Sequence, residues 1–282
     1  MNNRSINEIN HLRNIFYKLC SPSNPENEKN FLIVIINKKE CGISSIETCE
    51  LLQQHRLGYI KKNKFQIGDD TINRHILKEL LLNVTQILKS KCNIKKWNSE
   101  ILDIIGPNYE VLGHIERSAA RLLGLKTRSV HMNSWLNNKE LWISKRSSKK
   151  SINPGKLETI VGGLVSKGEK PEQSLIRECY EEANLIENDI LTKGKLYKIL
   201  DIKKITDEGY QIEELLSQTS LLKKDFCPIN NDGEVDSFQK FRIENITHEI
   251  LSDNFTTESS IIILSDIIKF IKIRNYLNII PG

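Results

Sequence analysis

The chain has 282 residues, is 39% hydrophobic and carries 41 basic against 36 acidic residues, a formal charge of +5. That composition supports one large core or two smaller ones, and it includes neither an apolar run of membrane-spanning length nor an apolar N-terminal signal segment. The positive excess forms no basic stripe interleaved with aromatics, which argues against a nucleic-acid partner. The cysteines Cys20, Cys41, Cys49, Cys92, Cys179 and Cys227 form no close metal-binding pair, so a cytoplasmic protein with reduced thiols is expected.

In chain order, residues 1–20 read as a helix, with Ile6, Ile9, Leu12, Ile15, Phe16 and Leu19 at helical spacing. A polar turn follows at Ser21-Pro22-Ser23-Asn24-Pro25, then a strand from Phe31 to Asn37 and a short helix from Ser45 to His55. Residues 69–89 predict a strong helix, capped by Asp69 or Asp70 and striped by Ile72, Ile76, Leu80, Leu81, Val84 and Leu88. Trp97 to Asn108 reads as a linker, Tyr109 to Leu112 as a short strand, and Glu116 to Leu123 as a helix ended by Gly124. Strands follow at 128–136 and 140–145. The next loop holds Lys145, Arg146, Lys149 and Lys150, which fit a solvated surface or a phosphate-steering patch equally. Later, 193–202 reads as a strand, and 212–222 fits helix and strand alike. Asn230-Asn231-Asp232-Gly233 is a turn, Phe238 to Ile243 a strand, and 246–252 and 258–276 are helices. The change of character near residues 115–125 divides the chain into an N-terminal α+β accessory domain (1–115) and a second α/β domain (116–282).

The chemistry concentrates between Gly163 and Leu185. Pro171 opens a helix there, where its missing N–H costs nothing. Glu178 and Glu182 are four residues apart and share a face, with Glu181 beside them. Carboxylates crowded on one helical turn repel unless solvated, paired with bases or bound to a cation. A hard divalent ion such as Mg²⁺ suits all-oxygen ligands and bridges to phosphate. The plainer reading is an amphipathic helix with a solvated acidic face, burying Leu175, Ile176 and Cys179 on the other.

Gly163, Glu169, Arg177, Glu178, Glu181 and Glu182 stand at the spacing of a Nudix box, and the segment resembles that motif closely. Two positions depart from it: Asn184 stands where the family prefers Gly, and Cys179 where it prefers an aliphatic residue. Asn tolerates left-handed backbone and suits the helix-ending turn. The resemblance implies a Nudix-type α/β/α sandwich with a mixed sheet, and metal-dependent hydrolysis of a diphosphate. It assigns Glu178 and Glu182 as ligands for Mg²⁺ or Mn²⁺, Glu181 as a further ligand or the residue that positions a metal-bound water, Glu169 as a further ligand or the partner of Arg177, and the Gly162 carbonyl as a further ligand. Arg177 orients the carboxylates. Gly163 lets the backbone approach the phosphates. Glu181 and Glu234 are the alternative general bases; at Glu234 a surface acid beside a turn is an equally good reading.

Residues 115–135, 141–147, 154–163 and 233–238 further resemble the Nudix subgroup related to, or fused with, thiamin pyrophosphokinase, which carries an extra N-terminal domain. That likeness implies thiamin diphosphate or a damaged analogue as substrate, cleaved to the monophosphate and phosphate. His131, Asn133, Arg146, Trp142 and Phe238, with Trp135, are the candidate substrate contacts, although each aromatic taken singly reads as core. Arg117 and Arg121 lie one helical turn apart and fit either a phosphate grip or pairing with nearby acids. The alternatives are a hydrolase of nucleoside-diphosphate derivatives such as ADP-ribose, an isoprenoid-diphosphate isomerase, and a Nudix-fold binding or regulatory protein without turnover, against which the complete Arg and Glu set argues. The N-terminal region would cover the cleft, bind a partner or mediate a homodimer.

Overall fold

The computed structural model describes residues 3–22, 30–68, 72–94, 97 and 99–277, with the backbone alone at 3–8 and 272–277. Ser23, Asn24 and Pro25 of the expected polar turn lie outside the described residues. Helix α1 (Asn3–Cys20) leads into β1 (Phe31–Ile36), β2 (Lys39–Ser45), α2 (Ile46–Gln54), β3 (Gly58–Lys61), β4 (Lys64–Ile67) and α3 (Arg74–Lys91). These strands form a sheet of order β2-β1-β4-β3, with β1 and β4 parallel. Three of them, β2, β3 and β4, are not evident in the sequence.

Helix α3 starts later than its periodicity predicts. Its N-cap is Asn73, whose side chain accepts from the Ile76 N–H at 2.9 Å; Asp69 and Asp70 lie outside the described residues. Its buried stripe is Leu77, Leu81, Val84 and Leu88, while Ile76 is exposed. Leu77 thus takes the place expected for Ile76, a phase shift of one residue. The expected linker also contains structure: β5 (Ile101–Ile105) pairs antiparallel with β6 (Val111–Glu116).

The division expected at 115/116 falls where β6 passes into α4 (Arg117–Leu122). Glu116 ends the strand and caps the helix, accepting from the Ser118 and Ala119 N–H groups at 2.7 and 3.1 Å. Gly124 then ends it at φ +54°, and a Cβ there would sit 1.9 Å from the Ile43 carbonyl oxygen. This contact ties β2 to the start of the second sheet. Ala119, Ala120, Leu123 and Leu125 join the core of the N-terminal sheet. Helix α1 does not: Leu12 packs with residues of the C-terminal helices instead.

The second sheet contains β7 (Lys126–Trp135), β8 (Glu140–Arg146), β9 (Leu157–Thr159), β10 (Val161–Leu164), β11 (Ile190–Lys193), β12 (Tyr197–Thr206), β13 (Gly209–Leu222) and β14 (Val235–Arg242). Its main path is β11-β13-β7-β8-β14, with β10 on β7, β12 on β13 and β9 on β8. Only the β7–β13 pairing is parallel, so the sheet is mixed. The ambiguous 212–222 segment is therefore strand, and the expected 193–202 strand is split in two around Gly194.

Strand alternation sends side chains to two faces. Val130 and Met132 pack with Leu175, Cys179 and Ala183 of α5 (Pro171–Ala183). Trp135, Leu141 and Ile143 pack on α6 (Ile243–Leu251) and α7 (Thr257–Leu277) through Ile246, Ile250, Ile263, Leu264 and Ile267. The result is an α/β/α sandwich preceded by a smaller α/β region. No helix among the described residues is long and apolar enough to cross a membrane.

Candidate active site

Helix α5 carries the acidic cluster, and its ends follow from its sequence. Pro171 occupies the first turn, and Asn184 closes the helix in the left-handed region at φ 50°, ψ 33°. Asn184 is further fixed by Asn231, whose amide donates to its Oδ1 at 3.2 Å and to the Tyr180 carbonyl at 2.7 Å. The box helix is thereby joined to the 230–234 turn, where Asn230 Oδ1 accepts from the Asp232 and Gly233 N–H groups.

Arg177 is the hub of the cluster. Its Nε donates to Glu169 at 3.0 Å, and its Nη1 donates to Glu178 and to Glu181, each at 2.8 Å. Its Nη2 donates to Glu169 at 3.1 Å, and more weakly to the Leu164 carbonyl and Ser166 Oγ. The rigid fork of donors lets one cation hold three carboxylates. Hydrogen bonding to Arg177 keeps the Glu169 carboxyl below its ordinary range.

Glu178 and Glu182 are the buried members, 8% and 3% exposed. Burial pushes the Glu178 carboxyl up to about 7, against the opposing pull of Arg177. Burial, reinforced by repulsion from Glu178, raises the Glu182 carboxyl well above the normal carboxylate range. Glu182 accepts from the Gly162 N–H at 2.8 Å, and no ion pair reaches it among the described residues. Among those residues no three His, Cys, Asp or Glu side chains are arranged as a ready metal site; Arg177 fills the space between Glu169, Glu178 and Glu181.

The two glycines of β10 face opposite ways. A Cβ on Gly162 would meet the His131 ring, 2.7 Å from Nδ1, and one on Gly163 would lie 2.1 Å from the Glu178 carboxyl. Gly163→Ala is therefore expected to displace Glu178. We expect a loss of roughly 100-fold in turnover, the usual scale for a misplaced reactive group, and about 1–3 kcal/mol of stability from overpacking. Kinetics and thermal melting check this; wild-type rates in a folded Gly163→Ala protein contradict it.

His131 accompanies Gly162 across the β7–β10 register. The Thr159 hydroxyl donates to the Val161 carbonyl at 2.9 Å, so at 3.1 Å it accepts from His131, which places the ring proton on Nδ1. Nε2 is then a buried acceptor without a partner. Burial pushes the imidazole pKa down to about 4. The unfolded chain, with an ordinary pKa near 6.5, binds this proton first, so stability is lost as pH falls from about 6.5 towards 4, by about 3 kcal/mol at most. Urea melts between pH 7.5 and 4.5 should show a steeper fall for wild type than for His131→Gln; parallel curves contradict the assignment.

The remaining expected residues divide. Glu234 is half-exposed and paired with Lys150. Burial raises its carboxyl, but Lys150 outweighs that and holds it below its ordinary value. Arg146 donates to both Glu158 oxygens at 2.7 Å and to the Ile152 carbonyl. His131, Arg146, Gly162 and Gly163 line a cavity of about 730 Å³. Asn133 does not line it and donates to the Ile262 carbonyl of α7 at 3.3 Å. Trp142 and Phe238 also lie off the cavity and pack in the core under α5, with Lys240 over the Trp142 ring at 4.9 Å. Trp135 is likewise outside it, stacked on Phe270 and bonded to Asp266.

The NUDIX domain model matches residues 127–256, which include the whole of this acidic cluster. A Nudix hydrolase from Deinococcus radiodurans is 39% identical over 140 residues, covering 49% of this chain and 76% of that protein. The chain belongs to the Nudix hydrolase family. Two chloroplastic proteins of Arabidopsis thaliana, Nudix hydrolase 24 and Nudix hydrolase 20, are each 32% identical, over 54–56% of this chain. The chain spans less than half of their length, 42% and 43%.

The Nudix box is thus legible in the sequence, but several neighbours are not. Glu158, an acid just before the apolar Ile160-Val161 pair, was the one available signal. Glu258, Lys204 and Ser129 carry none. Glu258 reads as an ordinary acid in the first turn of a helix, yet its side chain is only 14% exposed, is bound to Lys204 at 2.9 Å and lines the cavity with His131.

Proposed function

We propose that the protein hydrolyses a small organic diphosphate with the help of a divalent cation. One observation carries this reading: Glu178 and Glu182 are buried side by side against a side-chain-free stretch of β10, and Arg177 compensates only one of them. Two desolvated carboxylates, both with raised proton affinity, form a donor set suited to a hard cation. Glu178 and Glu182 would hold Mg²⁺ or Mn²⁺, with Glu181, Glu169 and the Gly162 carbonyl as further candidate ligands. The ion when bound supplies charge neutralisation for the diphosphate and activation of water.

The chain's own groups account for the rest. Arg177 keeps Glu169, Glu178 and Glu181 converged. Gly163 leaves room for the Glu178 carboxyl against β10, which a side chain there would displace. Water attacks phosphorus, the bridging P–O bond breaks, and the proton passes to a carboxylate. Glu181, at the open edge of the cluster, is the first candidate for that base. Glu234 is the second, once Lys150 releases it.

For the substrate, thiamin diphosphate or a damaged analogue, cleaved to the monophosphate and phosphate, is the first reading. It rests on the sequence likeness of residues 115–135, 141–147, 154–163 and 233–238. A nucleoside-diphosphate derivative such as ADP-ribose is the second, favoured by the charged and hydroxyl side chains of the cavity, among them Arg117, Arg121, Arg146 and Ser129. A hydrolysis screen with Mg²⁺ or Mn²⁺ separates them. Turnover of thiamin diphosphate or its oxidised forms is expected. Turnover confined to nucleotides refutes the thiamin reading, and binding without turnover across the panel refutes hydrolysis.

A further inference from the structure

The cavity beside Gly162 and Gly163 is larger than a diphosphate needs. About 730 Å³ falls within the range of pockets that take a whole small molecule. One wall is the face of β7 that carries Thr127, Ser129 and His131. The far wall is Arg117 and Arg121 of α4, which precede the residues matched by the NUDIX domain model. The wall is polar and its charges are already compensated: Arg117 pairs with Glu100 at 2.7 Å, and Arg121 with Glu208 at 3.2 Å.

Three polar atoms on this lining lack partners: Ser129 Oγ, His131 Nε2 and Arg117 Nε. Ser129 and His131 are 3% and 5% exposed. Buried polar groups normally find partners, because leaving one unpaired costs about 1–3 kcal/mol. Here a lone acceptor, a hydroxyl and a guanidinium donor belong to three residues of one cavity lining. Neither an isoprenoid chain nor a bare phosphate would satisfy all three. Tyr210, Leu122, Leu125 and Ile212 also line the cavity, so its polar groups sit among apolar ones that can pack on the rest of a small molecule.

We infer that this cavity receives the part of the substrate beyond its phosphates, that it selects a polar group bearing both hydrogen-bond donors and acceptors, and that Arg117 and Arg121 make α4, which precedes the residues matched by the NUDIX domain model, part of the specificity pocket. This rests on the diphosphate-hydrolase reading above. It deepens that reading by making α4 a determinant of substrate choice.

The test uses the full chain with Mg²⁺ and four probes: thiamin diphosphate, ADP-ribose, geranyl diphosphate and methyl diphosphate. Wild type should prefer a polar probe to geranyl diphosphate by at least about tenfold in kcat/KM. Ser129→Ala and Arg121→Met should raise KM for that polar probe about five- to twentyfold. They should also lower its kcat/KM relative to that of methyl diphosphate. Ser129→Ala removes a hydroxyl that bonds nothing in the fold, so it keeps the test valid even where Arg121→Met unfolds. An unchanged selectivity ratio in Ser129→Ala and in folded Arg121→Met, or a preference for geranyl diphosphate, overturns the inference and leaves the hydrolase intact. A wild type that cleaves none of the four overturns the hydrolase reading, and this inference with it.

Discussion

Glu182→Gln should lose roughly 100-fold or more in kcat/KM while the metal-free protein becomes more stable. Glu182 is buried, repelled by Glu178 and, among the described residues, bonded only to the Gly162 N–H. Its proton affinity in the fold exceeds that in the unfolded chain, so its ionised form costs stability at pH values above the ordinary carboxylate range. The amide keeps an acceptor for Gly162 and removes the charge. We expect about 1–3 kcal/mol of added stability at pH 7.5 in chelator, within the range seen when buried charges are replaced. The rate loss reflects removal of a group aimed at the reacting centre. Opposite signs for stability and activity mark a site retained for chemistry rather than folding. A variant that is less stable and fully active refutes both halves.

Arg177→Met should be the most destabilising substitution in the box. It releases Glu169, Glu178 and Glu181 together, leaving three carboxylates close to one another without their shared counter-ion. The cost should lie between that of an exposed ion pair and that of a buried one, about 2–4 kcal/mol. Arg177→Lys should recover only part of it, because an ammonium cannot reproduce the fork that spans Glu169 on one side and Glu178 and Glu181 on the other. Mg²⁺ should raise the melting temperature of Arg177→Met more than that of wild type, since the cation would replace lost positive charge. Equal shifts in the two proteins contradict this.

How far the sequence carries depends on how local each feature is. The box was readable because its charges lie within a few helical turns and helical geometry alone groups them. Asn184 was readable for the same reason, as a left-handed residue needs no distant partner. Of the N-terminal sheet only β1 was, because β3 and β4 are four residues each and too short for alternation to register. The β13 segment looked ambiguous because Glu213 to Gln218 is buried on both faces, which erases the period of two. The phase of α3 slipped because Ile76 and Leu77 are adjacent and equally apolar; tertiary packing chose between them. The pocket was the least readable part. Its walls come from α4, β7, β10, the β12–β13 turn and the start of α7, and nothing in any one segment announces that they meet. The tryptophans illustrate the converse, since their side chains invite a ring-stacking role and the sheet turns them into the core.

The most direct test of the account follows the initial rate of diphosphate cleavage by ³¹P NMR, with the best substrate of the screen, as Mg²⁺ is titrated into chelator-treated protein. The account predicts no cleavage without the ion, a saturable rise with it, and a rise suppressed at least roughly 100-fold in Glu182→Gln. Full activity in excess chelator, or an identical titration for wild type and Glu182→Gln, would contradict it.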